Sequence, residues 1–106
     1  MRESTYQTKL IKRLRKEFPR CLVLKNDSTY KQGIPDLIVL YKDIWFMLEV
    51  KTSEDSPTQP NQEYYVDMLN RMSFAAFIWP ENEEEVFFDL QRAFKSSRST
   101  RLSERF

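Results

Sequence analysis

Apolar residues fall along the chain in two rhythms, one near the helical period and one near the extended one. Tyr6, Leu10, Ile11 and Leu14 recur at spacings of four, one and three, which predicts an amphipathic helix over 3–17. Pro19 closes it, because proline disfavours helical geometry in the residue before it, Phe18. Residues 21–25 (CLVLK) read as a short strand, followed by a polar loop from Asn26 to Gly33. Two β-rich runs, 36–41 (DLIVLY) and 44–51 (IWFMLEVK), are separated by Lys42-Asp43 alone, the spacing of a tight hairpin. A turn-rich loop, 52–60, precedes Asn61, Tyr64, Tyr65, Met68, Leu69 and Met72, which recur at helical spacing. FAAFIW (74–79) is continuously apolar and suits a strand covered on both faces. After Pro80, Asn82 is placed to cap a last helix that opens on Glu83-Glu84-Glu85, acids of the right sign for the positive end of a helix dipole. The predicted fold is α/β, a mixed sheet flanked by helices in the order α-β-β-β-α-β-α. It forms one domain over 1–95, with a basic tail, 96–106, expected to be mobile.

Length and composition agree with that reading and narrow the chemistry. A chain of 106 residues has room for one sheet with helices on it, and 14% aromatic residues with a single Gly argue against disorder. There is no His, which removes His-based triads, His-dependent nuclease motifs and any zinc site that includes a His. One Cys removes disulfide frameworks, and Cys21, opening an apolar strand, reads as a buried thiol. An enzyme built on this chain must use carboxylates, Lys, hydroxyls or a hard metal ion. No apolar run approaches the roughly 18 residues of a membrane span, so a soluble protein of the cytoplasm is expected, with no membrane partner.

The net charge of +1 conceals a division along the chain. Residues 1–35 carry nine basic and three acidic side chains, 36–93 four and twelve, and 94–106 four and one. Basic segments can meet phosphate, and clustered acids can hold a divalent cation. Lys9, Lys12, Arg13, Arg15 and Lys16 make the exposed face of the first helix either a solvated surface or a phosphate-binding one.

The hairpin brings two acids together. If Tyr41 and Ile44 face each other beside the two-residue turn, paired residue numbers sum to 85, and Asp36 falls opposite Glu49. Directly opposed side chains have Cβ atoms about 5 Å apart, and Lys51 shares a face with Glu49. Opposed like charges destabilise a sheet, and Glu49 interrupts an otherwise apolar run. Either one acid is protonated or neutralised by Lys51, or a cation lies between the two; oxygen ligands alone suit Mg²⁺ or Mn²⁺.

At these residues the sequence resembles the PD-(D/E)xK nuclease superfamily, with Pro35-Asp36, twelve intervening residues and Glu49-Val50-Lys51. More narrowly it resembles the small VRR-NUC family. Four blocks carry this: Glu3-Ser4 with Gln7, Gly33-Ile34-Pro35-Asp36-Leu37, Glu49-Val50-Lys51, and Ser56-Pro57 followed by Gln62. They span roughly 3–80. The resemblance implies a restriction-endonuclease-like αβββαβ core and a metal-dependent nuclease. It implies Asp36, Glu49 and the backbone carbonyl of Val50 as ligands of Mg²⁺ or Mn²⁺, with Glu3 a candidate acid from the first helix. Lys51 would orient or activate the attacking water, and Gln62 would support the site, with Gln59 as the alternative amide. Stand-alone members, many from phages, resemble junction-resolving nucleases acting as homodimers, so a homodimer and branched or Holliday-junction DNA are implied here. Where the family usually has Gly after the second helix this chain has Ser73, a departure that bears on a turn.

The expected function is a metal-dependent DNA endonuclease, with Lys9, Lys12, Arg13, Lys16, Lys25 and Lys31 gripping the backbone. A non-catalytic nucleic-acid-binding module and an interaction subunit of a larger complex are the alternatives on the same fold. Tyr30 either stacks on a base or covers the sheet, and Trp45 and Trp79 read as core or interface.

Overall fold

A computed structural model describes the backbone of residues 2–27 and 31–105, and side chains within these as far as residue 94. Tyr30 and the side chains of the 96–106 tail lie outside the described residues. The first helix, α1 (Glu3–Glu17), buries Tyr6, Leu10 and Leu14, a stripe at i, i+4 and i+8. It stops at Phe18, whose amide still donates to the Leu14 carbonyl while its side chain drops into the core. Then come β1 (Leu22–Lys25), β2 (Leu37–Tyr41), β3 (Ile44–Val50), α2 (Pro60–Met72), β4 (Ala75–Ile78), a 3₁₀ turn (Pro80–Asn82) and α3 (Glu83–Arg105).

The four strands lie in the order β1-β2-β3-β4; the first two pairings are antiparallel and β3–β4 is parallel. The expected α/β architecture is therefore the one observed, with α2 as the crossover that a parallel pair requires. The hairpin register is also the expected one, from Tyr41 opposite Ile44 to Leu37 opposite Leu48. Lys42 adopts φ 56°, the left-handed conformation that lets a two-residue turn follow the twist of its strands.

One face of the sheet carries the larger core: Leu37, Val39, Phe46, Leu48, Val50 and Ile78 pack with the apolar stripes of α1 and α3. On the other face Met47 and Ala75 pack under Val66 of α2, with Ile34, Ile38, Trp45, Leu69 and Phe77 around them. Covered on both sides, β3 has no solvent-facing side, which explains why its run is apolar except at Glu49. α2 lies mainly on β3 and β4, so much of the same face of β1 and β2 stays open and Leu22, Leu24 and Leu40 are exposed.

Two local expectations differ from the structure, and the Ser73 departure is accommodated at the end of α2. In α2 the buried residue is Val66, while Tyr64 and Met72 point to solvent, because a helix on two strands buries only a narrow stripe. Asn82 does not cap α3; its Oδ1 accepts from the Trp79 amide at 2.7 Å and its Nδ2 donates to the Phe77 carbonyl, closing the 3₁₀ turn behind it. Ser73 sits at φ −150°, where glycine is not needed, and its hydroxyl donates to the Trp45 carbonyl. Among the described residues no helix is long and apolar enough to cross a membrane.

Candidate active site

Asp36 immediately precedes β2, and three contacts hold its approach. Gly33 takes φ +92°, and a Cβ there would come within 2.7 Å of the Asn61 side chain, so only glycine lets this loop lie against α2. Asn26 donates from its backbone amide to the Asp36 carbonyl at 2.8 Å and from its side chain to the Pro35 carbonyl. The Asp36 carboxylate then accepts the Val50 amide at 3.0 Å. It is thereby turned across the hairpin toward Glu49, one step beyond the last ladder pair.

Glu49 is the only charged or polar residue in the buried core of the described residues, 3% exposed. Its Oε2 accepts from the Gln62 side-chain amide at 3.2 Å, and its Oε1, fully buried, has no hydrogen-bond partner. Desolvation, and next the nearby Asp36 charge, push its pKa up to about 8. A buried carboxylate in that state is held by the fold against its own electrostatic preference. An unpartnered buried oxygen opposite a second carboxylate is the arrangement a hard cation satisfies.

Lys51 is positioned rather than free. Its ammonium donates to the Pro57 carbonyl at 2.8 Å and to Gln62 Oε1 at 3.0 Å, and lies 3.9 Å from Glu49 Oε2. Gln62 links these groups: its Oε1 also accepts the Gln59 amide at 3.0 Å, which satisfies one open donor at the start of α2. Gln62, and not Gln59, thus reaches the acids with its side chain. Glu3 arrives from the first turn of α1; burial, and then the charge on Asp36, raise its pKa, while Lys51 lowers it. Among the described residues no group of three or more His, Cys, Asp or Glu side chains is arranged to enclose a metal. Two carboxylates with open coordination positions suit Mg²⁺ or Mn²⁺, which keep several waters and bind substrate phosphate through the remainder.

Of the six cations expected to face phosphate, Lys9, Lys12, Lys16, Lys25 and Lys31 are exposed. Arg13 is corrected: its guanidinium binds Glu17, Glu83 and Glu84 and lies 4.1 Å from the centre of the Phe87 ring. It clamps α1 to the start of α3, joined by a 2.7 Å bond from the Tyr6 hydroxyl to Glu83. The Glu83-Glu84-Glu85 run was the available signal, and its role as an ion-pair partner is what the sequence pattern did not disclose. Nor did it single out Asn26 or the Tyr64–Tyr65 pair.

No protein-family model matches the chain, and no curated protein matches it. A solved structure titled VRR_NUC domain protein matches with a TM-score of 0.62 at 19% identity, over 90% of this chain and 89% of that one. The chain shares the fold of that structure. Within it, the hairpin β2–β3 and the start of α2 are the elements that assemble Asp36, Glu49, Lys51 and Gln62.

Proposed function

We propose that the protein is a divalent-metal-dependent endonuclease that hydrolyses phosphodiester bonds in DNA, selecting branched structures such as four-way junctions. The observation that carries this reading is the buried Glu49 carboxylate, with one oxygen unpartnered, facing Asp36 beside a tethered lysine. A binding module gains nothing from that cost. The VRR_NUC title of the structural neighbour points the same way.

Asp36, Glu49 and the Val50 carbonyl would hold Mg²⁺ or Mn²⁺, and Glu3 would serve as a further oxygen donor. When bound, the cation supplies Lewis acidity, lowering the pKa of water beside it and offsetting charge on the scissile phosphate. Lys51 has three N–H donors, of which Pro57 and Gln62 use two. The third is left to hold the attacking water or a non-bridging oxygen as negative charge develops there. Gln62 keeps Lys51 and Glu49 in register while that charge grows. The water loses a proton to solvent as its oxygen bonds to phosphorus, the bond from phosphorus to the leaving sugar oxygen breaks, and that oxygen takes up a proton from solvent.

Lys9, Lys12 and Lys16 along α1, with Lys25 and Lys31, contact the phosphate backbone without reading sequence. The protein acts as a homodimer, for which the open apolar strip of Leu22, Leu24 and Leu40 is a suitable surface. Incubation with linear, flapped and four-way DNA in Mg²⁺, Mn²⁺ and chelator tests the reading. Asp36→Asn and Lys51→Ala are expected to abolish cutting while folding and DNA binding persist. Wild-type levels of cutting by either variant would refute the site assignment.

A further inference from the structure

Between β3 and α2 the chain runs through 51–59, and the polar contacts of that loop converge on one hydroxyl. Residues 52–57 (TSEDSP) bring no large apolar side chain to the core, and Glu54, Asp55 and Pro57 are exposed, so hydrogen bonds must fix the path. Ser56 Oγ accepts the Ser53 amide at 3.1 Å, shares a hydrogen bond with the Thr52 hydroxyl at 3.0 Å and lies 3.4 Å from the Ser53 hydroxyl. In return the Ser56 amide donates to the Ser53 carbonyl at 3.2 Å, which closes the turn 53–56 from both sides. The next residue, Pro57, gives its carbonyl to the Lys51 ammonium at 2.8 Å. The proline ring fixes its own φ and holds Ser56 extended, so few free torsions separate the placed hydroxyl from that carbonyl. Lys51 depends on it. Its other hydrogen bond is to Gln62 Oε1 at 3.0 Å, and the 3.9 Å to Glu49 Oε2 is longer than a hydrogen bond. A compact ammonium on a flexible stem is placed by two such partners and left to swing by one.

We propose that Ser56 is a positioning residue for Lys51: its hydroxyl closes the turn that delivers the Pro57 carbonyl to the ammonium. This role rests on the nuclease reading above and deepens it, adding the residue that sets the lysine of that site. Ser56 touches neither the cation nor the phosphate in this role. It acts through Pro57, and a small displacement of the Lys51 ammonium is enough to slow the reaction without weakening the hold on DNA.

The test reads the full chain in two ways. In chelator, without DNA, each lysine is acetylated with N-hydroxysuccinimidyl acetate and its rate followed by peptide mass spectrometry. Lys51, with its side chain 11% exposed, should react more slowly than the exposed Lys12 in the wild type. In Ser56→Ala it should react several-fold faster, with Lys12 unchanged, and Ser56→Thr, which keeps a hydroxyl, should restore the wild-type rate. In Mg²⁺, cleavage of flapped and four-way DNA over a range of concentrations separates kcat from KM. Ser56→Ala should lower kcat about ten-fold at unchanged KM, and Ser56→Thr should recover it. A wild-type Lys51 rate in Ser56→Ala, an equal gain at Lys12, or no rescue by threonine would each overturn the role. So would a rise in KM at unchanged kcat, which would make the hydroxyl a DNA contact instead. Normal cutting by the wild type together with any of those results would leave the nuclease reading standing alone. Release of Lys51 in Ser56→Ala, with no cutting of any DNA by the wild type in Mg²⁺ or Mn²⁺, would uphold the tether and overturn the nuclease reading.

Discussion

Replacing Glu49 with Gln should make the metal-free protein more stable and the nuclease inert. In the folded chain the Glu49 carboxyl keeps its proton up to about pH 8, against 4.5 ordinarily. Between those values the folded state holds a proton that the unfolded chain has released, so wild-type stability falls as pH rises through that interval and is level below it. At about 1.4 kcal/mol per pH unit the ceiling on this loss is about 5 kcal/mol. Relaxation of the hairpin and entry of water reduce it, and about 2 kcal/mol is expected at pH 8, or about 10 °C in melting temperature for a domain of this size. Glutamine keeps the volume, can still accept from the Gln62 amide, and offers an N–H to Asp36 where Glu49 Oε1 has no partner. Thermal melts followed by circular dichroism in chelator, at pH 5 and pH 8, measure the effect. Glu49→Gln should match the wild type at pH 5 and exceed it at pH 8. Adding Mn²⁺ at pH 8 should raise the wild type and leave the variant unmoved, since only a state that binds the ion gains from it. A wild-type melting temperature that is flat across this range, or a variant no more stable at pH 8, would refute the reasoning.

Gln62→Ala removes one acceptor for Lys51, one donor to Glu49 and the partner of the Gln59 amide. It should cost about 1 kcal/mol in chemical denaturation, and cleavage should fall more than ten-fold at unchanged DNA affinity; a wild-type rate would remove Gln62 from the site. Arg13→Ala should lower the melting temperature by about 5 °C, with the salt dependence of DNA binding unchanged, because its guanidinium is engaged by three carboxylates. Lys12→Ala should do the opposite, reducing the slope of log affinity against log salt by about one at unchanged stability. Gly33→Ala places a methyl group against Asn61 at a φ that side chains resist, and should cost about 2 kcal/mol or more while misplacing Asp36 three residues on.

The pairing of the two acids is legible in the order of residues alone. A two-residue turn between runs of this length leaves one antiparallel register, and strand side chains alternate. Asp36, Glu49 and Lys51 must therefore share a face wherever that hairpin lies. The double burial of β3 is written into its apolar run, and the element order into the two hydrophobic periods. What no local pattern carries is which helix covers how much of which face. That depends on the path of the crossover, which sets α2 mainly over β3 and β4, leaving Tyr64 and Met72 in solvent and the Leu22–Leu40 strip open. Tertiary packing also decides the polar partners. Arg13 looks like one more cation on a basic helix until the fold brings Glu83 and Glu84, about seventy residues away, within reach. Hydrophobic alternation is a property of neighbouring residues and can be read along the chain. Ion pairs and hydrogen bonds such as Gln62 to Glu49 act over about 3 Å and exist only once packing has closed that distance.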